Sequence, residues 1–236
     1  MATTGAAGRR RPPLSDDTAA AQKRAAAVAA AELVEPGMRV GLGTGTTVAY
    51  LLPAIAARDL TGLRCVATSP ETEVLARSLG LDVETLDDVG ELDIAIDGAD
   101  QVDPAGWLIK GGGGAHVREK IVASAAHRFV VIVSSDKPVA AFSAPVPLEL
   151  LAFGVGHTLA ALAPARRRES APPSPDGGVI ADYLGAIGDP AELAARLSAT
   201  PGVVGHGLFA PEMVSDVLIG EGDGEGVSRR SGAKRA

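Results

Sequence analysis

The chain has 236 residues, 46% of them hydrophobic and 22% charged, the balance of a globular protein with a core of its own. Its formal net charge is −7, and because both ends are net basic the body is more acidic still, which repels a phosphate backbone. With aromatics at 3% and no apolar run long enough to span a bilayer, neither nucleic acid nor membrane is an expected partner.

Residues 1–17 are small, polar and Pro/Gly-containing, and read as a disordered tail. Arg9-Arg10-Arg11 opens no export signal, because Asp16, Asp17, Lys23 and Arg24 interrupt the segment that would have to be apolar. The lone Cys65 permits no intramolecular disulfide and suits a reducing, cytoplasmic setting. Thr18–Val34 is Ala-rich with helical apolar spacing and stops at Pro36-Gly37. Met38–Leu42 reads as a strand and Val48–Arg58 as a helix, followed by strand Leu63–Thr68, helix Glu71–Leu79 and a short strand Leu81–Thr85. Strands are then expected at Asp93–Ile96, Trp107–Lys110 and Phe129–Val133, with a helix at His116–Ala126.

This alternation predicts an α/β domain with a parallel sheet covered by helices on both faces, spanning 18–142 and closed by an apolar strand within 210–221. Residues 143–209 break the pattern. Strand Val146–Leu151, helix Gly156–Leu162, a basic Pro-rich loop Ala163–Gly178, strand Val179–Tyr183 and helix Pro190–Ala199 predict a small inserted α+β domain. Residues 222–236 read as a second disordered tail.

Three glycine clusters fall at predicted strand ends, where open parallel sheets bind ligands. The loop Gly41-Leu42-Gly43-Thr44-Gly45-Thr46-Thr47 joins a strand to a helix and offers amides, hydroxyls and a positive helix end to an anion. It lacks the third glycine and the downstream acid of a dinucleotide fingerprint, and is left as a monophosphate cradle or a plain tight turn. Asp97-Gly98-Ala99-Asp100 places two acids where they can hold sugar hydroxyls or a divalent metal. Taken alone, Asp100 capping a turn beside an exposed Asp97 is the simpler reading. Lys110-Gly111-Gly112-Gly113-Gly114 followed by Glu119 carries the most information. Four consecutive glycines give nothing to packing, but they let amides approach a ligand between a fixed cation and a possible base. Glu119 near a helix start is also a normal helix-stabilising charge. Arg118 and Lys120 read as solvated charges of the helix face, and His116, His127, His157 and His206 show no metal-ligand spacing, so no metal and no cofactor are expected.

Taken in order, Gly41–Thr47, Asp97–Asp100, Ile109–Gly114 and Arg118-Glu119-Lys120 closely resemble type A ribose-5-phosphate isomerases, together with Lys137, Pro147–Leu150 and Pro201–Val204. The resemblance covers about Thr18 to Gly220. It implies a Rossmann-like main domain, a ferredoxin-like small domain, a homodimer or homotetramer, and no required metal. Residue by residue it implies substrate and phosphate contacts at Thr44, Gly45, Thr46, Thr47, Gly98, Ala99, Gly111, Gly112, Gly113, Lys137 and Lys23. It further implies Glu119 as the proton acceptor, with Asp97, Asp100 and Lys110 assisting the chemistry.

The sequence departs from that pattern at Gln101, at Ser134-Ser135-Asp136 and at Asp176-Gly177-Gly178. The expected activity is interconversion of ribose 5-phosphate and ribulose 5-phosphate through an enediolate. The competing reading, a non-catalytic sugar-phosphate sensor on the same fold, would need a DNA-binding module that the first seventeen residues cannot supply.

Overall fold

The computed structural model describes residues 14–234. Helix α1 (Asp16–Ala31) starts two residues before the predicted point. The Ser15 hydroxyl accepts the Thr18 N–H, and Asp16 and Asp17 sit on the positive end of the helix. Residues 16 and 17 therefore belong to a helix and not to a tail, while residues 1–13 lie outside the described residues. The chain continues through β1 (Arg39–Leu42), α2 (Val48–Ala56), β2 (Arg64–Ala67) and α3 (Pro70–Ser78), as the pattern predicts. The strand expected at Leu81–Thr85 is reduced to a single bridge from Val83 to Cys65, because Thr85 instead caps the short helix α4 (Leu86–Val89).

Next come β3 (Leu92–Asp97), β4 (Gln101–Val102), β5 (Leu108–Ile109), α5 (His116–Ala125) and β6 (Ala126–Ser134). The small unit follows: β7 (Val146–Leu150), α6 (Val155–Ala161), β8 (Ala165–Arg167), β9 (Val179–Tyr183), α7 (Pro190–Ala199) and β10 (Val203–His206). After β11 (Leu208–Phe209), the chain ends in β12 (Asp216–Glu221) and β13 (Gly226–Ser231).

The main sheet has the order β13-β12-β6-β3-β1-β2, parallel throughout except for β13. From β1 the chain first adds β2 on one side, then β3, β6 and β12 on the other. The switch point between β1 and β3 is where such sheets open a crevice. Helices α1 and α2 cover one face over Leu42, Ile94, Ile96 and Val130. Helix α5 belongs to the opposite cluster, with Leu92, Phe129, Val131 and Phe209. Each fully buried Leu, Ile or Phe there contributes roughly 1.5–3 kcal/mol.

The second sheet, β10-β7-β9-β8, is antiparallel, and with α6 and α7 it makes a β-α-β-β-α-β unit around Leu148, Leu150, Tyr183 and Leu197. Its strand β8 lies inside the stretch read as a basic loop. Two further expectations are corrected. Leu108–Ile109 joins a small antiparallel sheet with β4 and β11 and not the parallel sheet, since Gly207 carries the returning chain against Lys110. Residues 226–231, expected to be disordered, pair along the whole of β12, held in addition by Arg229 on Asp216 (2.6 Å).

Candidate active site

The cavity lies over the ends of β1 and β3 and has a volume of about 150 Å³. Three loops wall it: Thr44–Thr47, Gly98–Asp100 and Lys110–Gly113. Glu119, Lys23 and Lys137 complete the lining. Every residue that the resemblance assigns to the site lines it except Asp97.

Each wall has a local cause. At Gly43 an added Cβ would fall 2.0 Å from Asp97 Cγ, so only glycine lets β1 pass the Asp97 carboxylate. Beyond it, Thr44 N–H donates to Asp97 Oδ1 (3.0 Å), and the loop opens α2 at Thr47, whose hydroxyl makes no capping bond. The positive end of α2 thus faces the loop, although the Ala49 and Tyr50 amides are taken by the Gly45 and Thr47 carbonyls (3.1 Å each). From behind, Thr68 holds the Thr44 hydroxyl (2.7 Å), and Thr72 donates to the Gly43 carbonyl (2.8 Å). Lys23 reaches the same loop, its Nζ 3.0 Å from the Thr46 hydroxyl. Its neighbour Gln22 is buried, accepting from Ser135 N–H (2.9 Å) and donating to the Gly222 carbonyl (2.8 Å), which seats α1 on the ends of β6 and β12. Lys137 pairs with Asp136 at 3.0 Å.

The chemical centre is a buried triad of two carboxylates and one ammonium. Lys110 Nζ lies 2.9 Å from Asp97 Oδ2 and 3.1 Å from Glu119 Oε2, and donates to the Gly98 carbonyl at 2.5 Å. All three side chains are nearly inaccessible to solvent. Burial works to discharge Lys110, but Asp97 and Glu119 together hold its pKa above the ordinary lysine value. One carboxylate remains uncompensated, and the two differ in support. Asp97 accepts from the amides of Thr44 and Gly98 (2.7 Å for Gly98) as well as facing Lys110. Glu119 Oε2 faces Lys110 at ion-pair distance, off the hydrogen-bonding direction. Burial, with the neighbouring Asp97 charge adding to it and Lys110 opposing it, pushes the Glu119 pKa up to about 7. A carboxylate poised there accepts a proton readily at neutral pH.

The structure thus separates the two aspartates. Asp97 is neither exposed nor in the cavity wall; its carboxylate is consumed in holding Lys110 and the Thr44 loop. Asp100 is exposed at the cavity and accepts the Gly112 N–H at 2.9 Å. Lys120 is not the solvated charge expected, and Arg118, though partly exposed, is not free. Arg118 makes a two-pronged pair with Asp176 (2.6 and 2.8 Å), tying the helix that carries Glu119 to the small unit. Lys120 donates to the His206 and Leu208 carbonyls (2.7 and 2.8 Å) and lies over the Phe209 ring. Gln22, Thr68 and Asp176 escape sequence reading because their partners are distant in the chain.

Fold and site together define an α/β protein with a buried acid–base cavity sized for a small anionic ligand. The family model of ribose 5-phosphate isomerase A (phosphoriboisomerase A) matches residues 64–224. The ribose-5-phosphate isomerase A of Caulobacter vibrioides is 45% identical over 209 residues, covering 83% of this chain and 92% of that protein. The crystal structure of ribose 5-phosphate isomerase A from Neisseria gonorrhoeae superposes with a TM-score of 0.83 at 31% identity, covering 89% and 95% of the two chains. That from Methanocaldococcus jannaschii gives 0.82 at 35%, covering 89% and 97%. The chain belongs to the ribose 5-phosphate isomerase A family.

Proposed function

We propose that this enzyme interconverts D-ribose 5-phosphate and D-ribulose 5-phosphate, with Glu119 as the base that carries the proton between C2 and C1. The observation that carries this reading is the Glu119–Lys110 pair: a buried carboxylate with its pKa raised to about 7, facing the cavity beside a fixed ammonium.

In the open-chain aldose, Glu119 removes the C2 proton and the C2–H electrons move into a C1–C2 double bond, placing negative charge on O1. Protonation of Glu119 removes one of the two negative charges beside Lys110, so part of the attraction of the ammonium passes to the new oxyanion without any change in the net charge of the site. This is stabilisation realised in the transition state more than in the ground state. A proton moves from O2 to O1, and Glu119 returns its own proton to C1, leaving the ketose. Asp100 and the amides of Gly111 and Gly113 hold hydroxyls, with Gly112 tied to Asp100 and with Gly98 and Ala99 shaping the wall. Asp97 acts through Lys110, fixing its position and charge. The phosphate lies against Thr44–Thr47, with Gly45 giving close backbone approach and Lys23 and Lys137 matching the dianion. Among the described residues no group of three or more His, Cys, Asp or Glu side chains is placed to hold a metal ion, and in this reading Lys110 and the glycine amides stabilise the oxyanion.

The reading extends to a cytoplasmic homo-oligomer, a dimer or tetramer, supported by the single buried Cys65 and by large apolar side chains left open on the small unit, Phe153 at 94% exposure. No described helix is long and apolar enough to cross a membrane. Proton NMR of ribose 5-phosphate with the protein in D2O tests the activity. Exchange at C2 together with appearance of the ketose is expected, and binding without exchange would make the protein a sensor.

A further inference from the structure

Between the active-site cavity and a larger neighbouring one of about 620 Å³ stands a thin wall, the backbone of Gly112 and Gly113, which borders both. Gly111 and Gly114 on either side adopt left-handed φ of +101° and +80°, and a 3.0 Å hydrogen bond from Gly114 N–H to the Gly111 carbonyl closes the turn. The crest itself is exposed and has no side chains to pack. A peptide plane between two glycines rotates with little steric resistance, so its direction has to be set by partners.

One partner does this directly, and a second fixes the peptide before it. Asp100 accepts the Gly112 N–H at 2.9 Å, and Arg168 Nη1 donates to the Gly112 carbonyl at 2.8 Å. Arg168 follows the edge strand β8 and is itself aimed by Asp182 on β9, which takes its Nε (3.0 Å) and Nη2 (2.5 Å). The guanidinium is thus used on two sides: a fork onto Asp182 and a single prong onto the loop.

The Gly112 carbonyl and the Gly113 N–H belong to one planar trans peptide and point in opposite directions. Arg168 lines the outer cavity and not the inner one. Holding the carbonyl outward therefore turns the Gly113 N–H, which has no partner among the described residues, toward the inner cavity.

We infer that Arg168 is a positioning residue that latches the Gly112–Gly113 peptide plane, so that the Gly113 amide is aimed as a fixed donor at a substrate oxygen. The role rests on the isomerase reading. It also joins the small unit to the chemistry: Asp182 sets Arg168, Arg168 sets the plane, and Asp100 anchors the same glycine from the other side.

The test compares Arg168→Ala, Arg168→Lys and the double variant Arg168→Ala/Asp182→Ala with the wild type, with Arg166→Ala on the exposed strand edge as control. Losing a preorganised donor typically costs roughly 10²–10³ in kcat, and losing only its aim should cost less, about 10- to 100-fold, with KM within about threefold. The lysine variant should recover part of the loss. The double variant, which leaves no stranded carboxylate, should recover melting temperature but not kcat. The amide 15N–1H resonance of Gly113 should shift or broaden in Arg168→Ala, since it reports the hydrogen bond on the carbonyl before it. A kcat for Arg168→Ala within twofold of wild type, a double variant that regains kcat, or an unmoved Gly113 resonance would each overturn the latch. If the wild type does not isomerise ribose 5-phosphate, the isomerase reading fails instead, and the Gly113 resonance still decides whether Arg168 fixes the plane.

Discussion

Glu119 shows how one side chain is read differently with and without its surroundings. As a first-turn glutamate on an exposed helix it would stabilise the fold by about 0.3–1 kcal/mol. Buried beside Asp97 with a single shared ammonium, it is costly to ionise, and its pKa rises from 4.5 to about 7. Because the base acts deprotonated, kcat/KM should fall as pH drops below about 7, with an inflection set by the free enzyme. A flat profile between pH 5.5 and 8 would remove Glu119 from that role. Glu119→Gln, which keeps size but loses the basic lone pair, should lower kcat by roughly 10²–10⁴-fold while sugar-phosphate affinity measured by calorimetry changes little. The same substitution has a stability consequence of definite sign. A carboxyl whose pKa is raised on folding favours the folded state below its unfolded pKa, and that contribution is lost as pH rises through about 7. The neutral glutamine escapes this loss. The melting temperature of Glu119→Gln relative to wild type should therefore climb between pH 5 and 8.5, and a constant difference would contradict the burial argument.

At the scale of elements, the Gly41–Thr47 loop works because glycine and hydroxyl occupy alternate duties. Gly43 gives up its side chain so that Asp97 can pass, and Thr44 is fixed from behind by Thr68. Gly43→Ala places a methyl on Asp97, an overpacking that typically costs about 1–3 kcal/mol, and it disturbs Lys110 through Asp97. Denaturant melts and turnover should both suffer, and an unaffected kcat would mean that Asp97 does not position Lys110. Thr46 and Thr47 instead line the cavity, where the proposed function puts the phosphate. A bulky apolar residue at either should mainly raise KM for ribose 5-phosphate with the melting temperature nearly unchanged. An unaltered KM in both variants would place the phosphate elsewhere.

At the scale of the whole molecule, two contacts carry the small unit onto the site. Arg118–Asp176 fastens the helix bearing Glu119, and Arg168–Gly112 fastens the glycine loop, both from the stretch 168–176 of the small unit. The chain end is equally committed, since β13 covers the open edge of β12 with an alternating, mostly exposed strand carrying Arg229 and Arg230. Removing residues 222–236 should bare that edge, lower the melting temperature and promote aggregation. A truncated protein that melts and elutes like the full chain would show β13 to be dispensable. In the proposed mechanism Lys110 and backbone amides stabilise the oxyanion, so dialysis against EDTA should leave isomerase activity intact. A loss restored by one divalent ion would overturn that chemistry.

Local pattern alone was enough for the parallel strands, the covering helices and the three glycine clusters, because period, chain punctuation and glycine's freedom act over a few residues. The helix start at Ser15 carries a local signal, a capping serine followed by two aspartates, yet by composition residues 16 and 17 read as part of a tail. Other features depended on partners far along the chain. The sequence cannot say that β13 finds β12, that β8 sits inside a loop-like basic run, or that Arg118 faces Asp176. Nor can it tell which of two aspartates three residues apart turns inward to hold a lysine and which stays at the cavity. Those choices are made by packing, because burial decides which charges need a partner, and only the folded chain brings Asp97, Lys110 and Glu119 within 3.1 Å of a common centre.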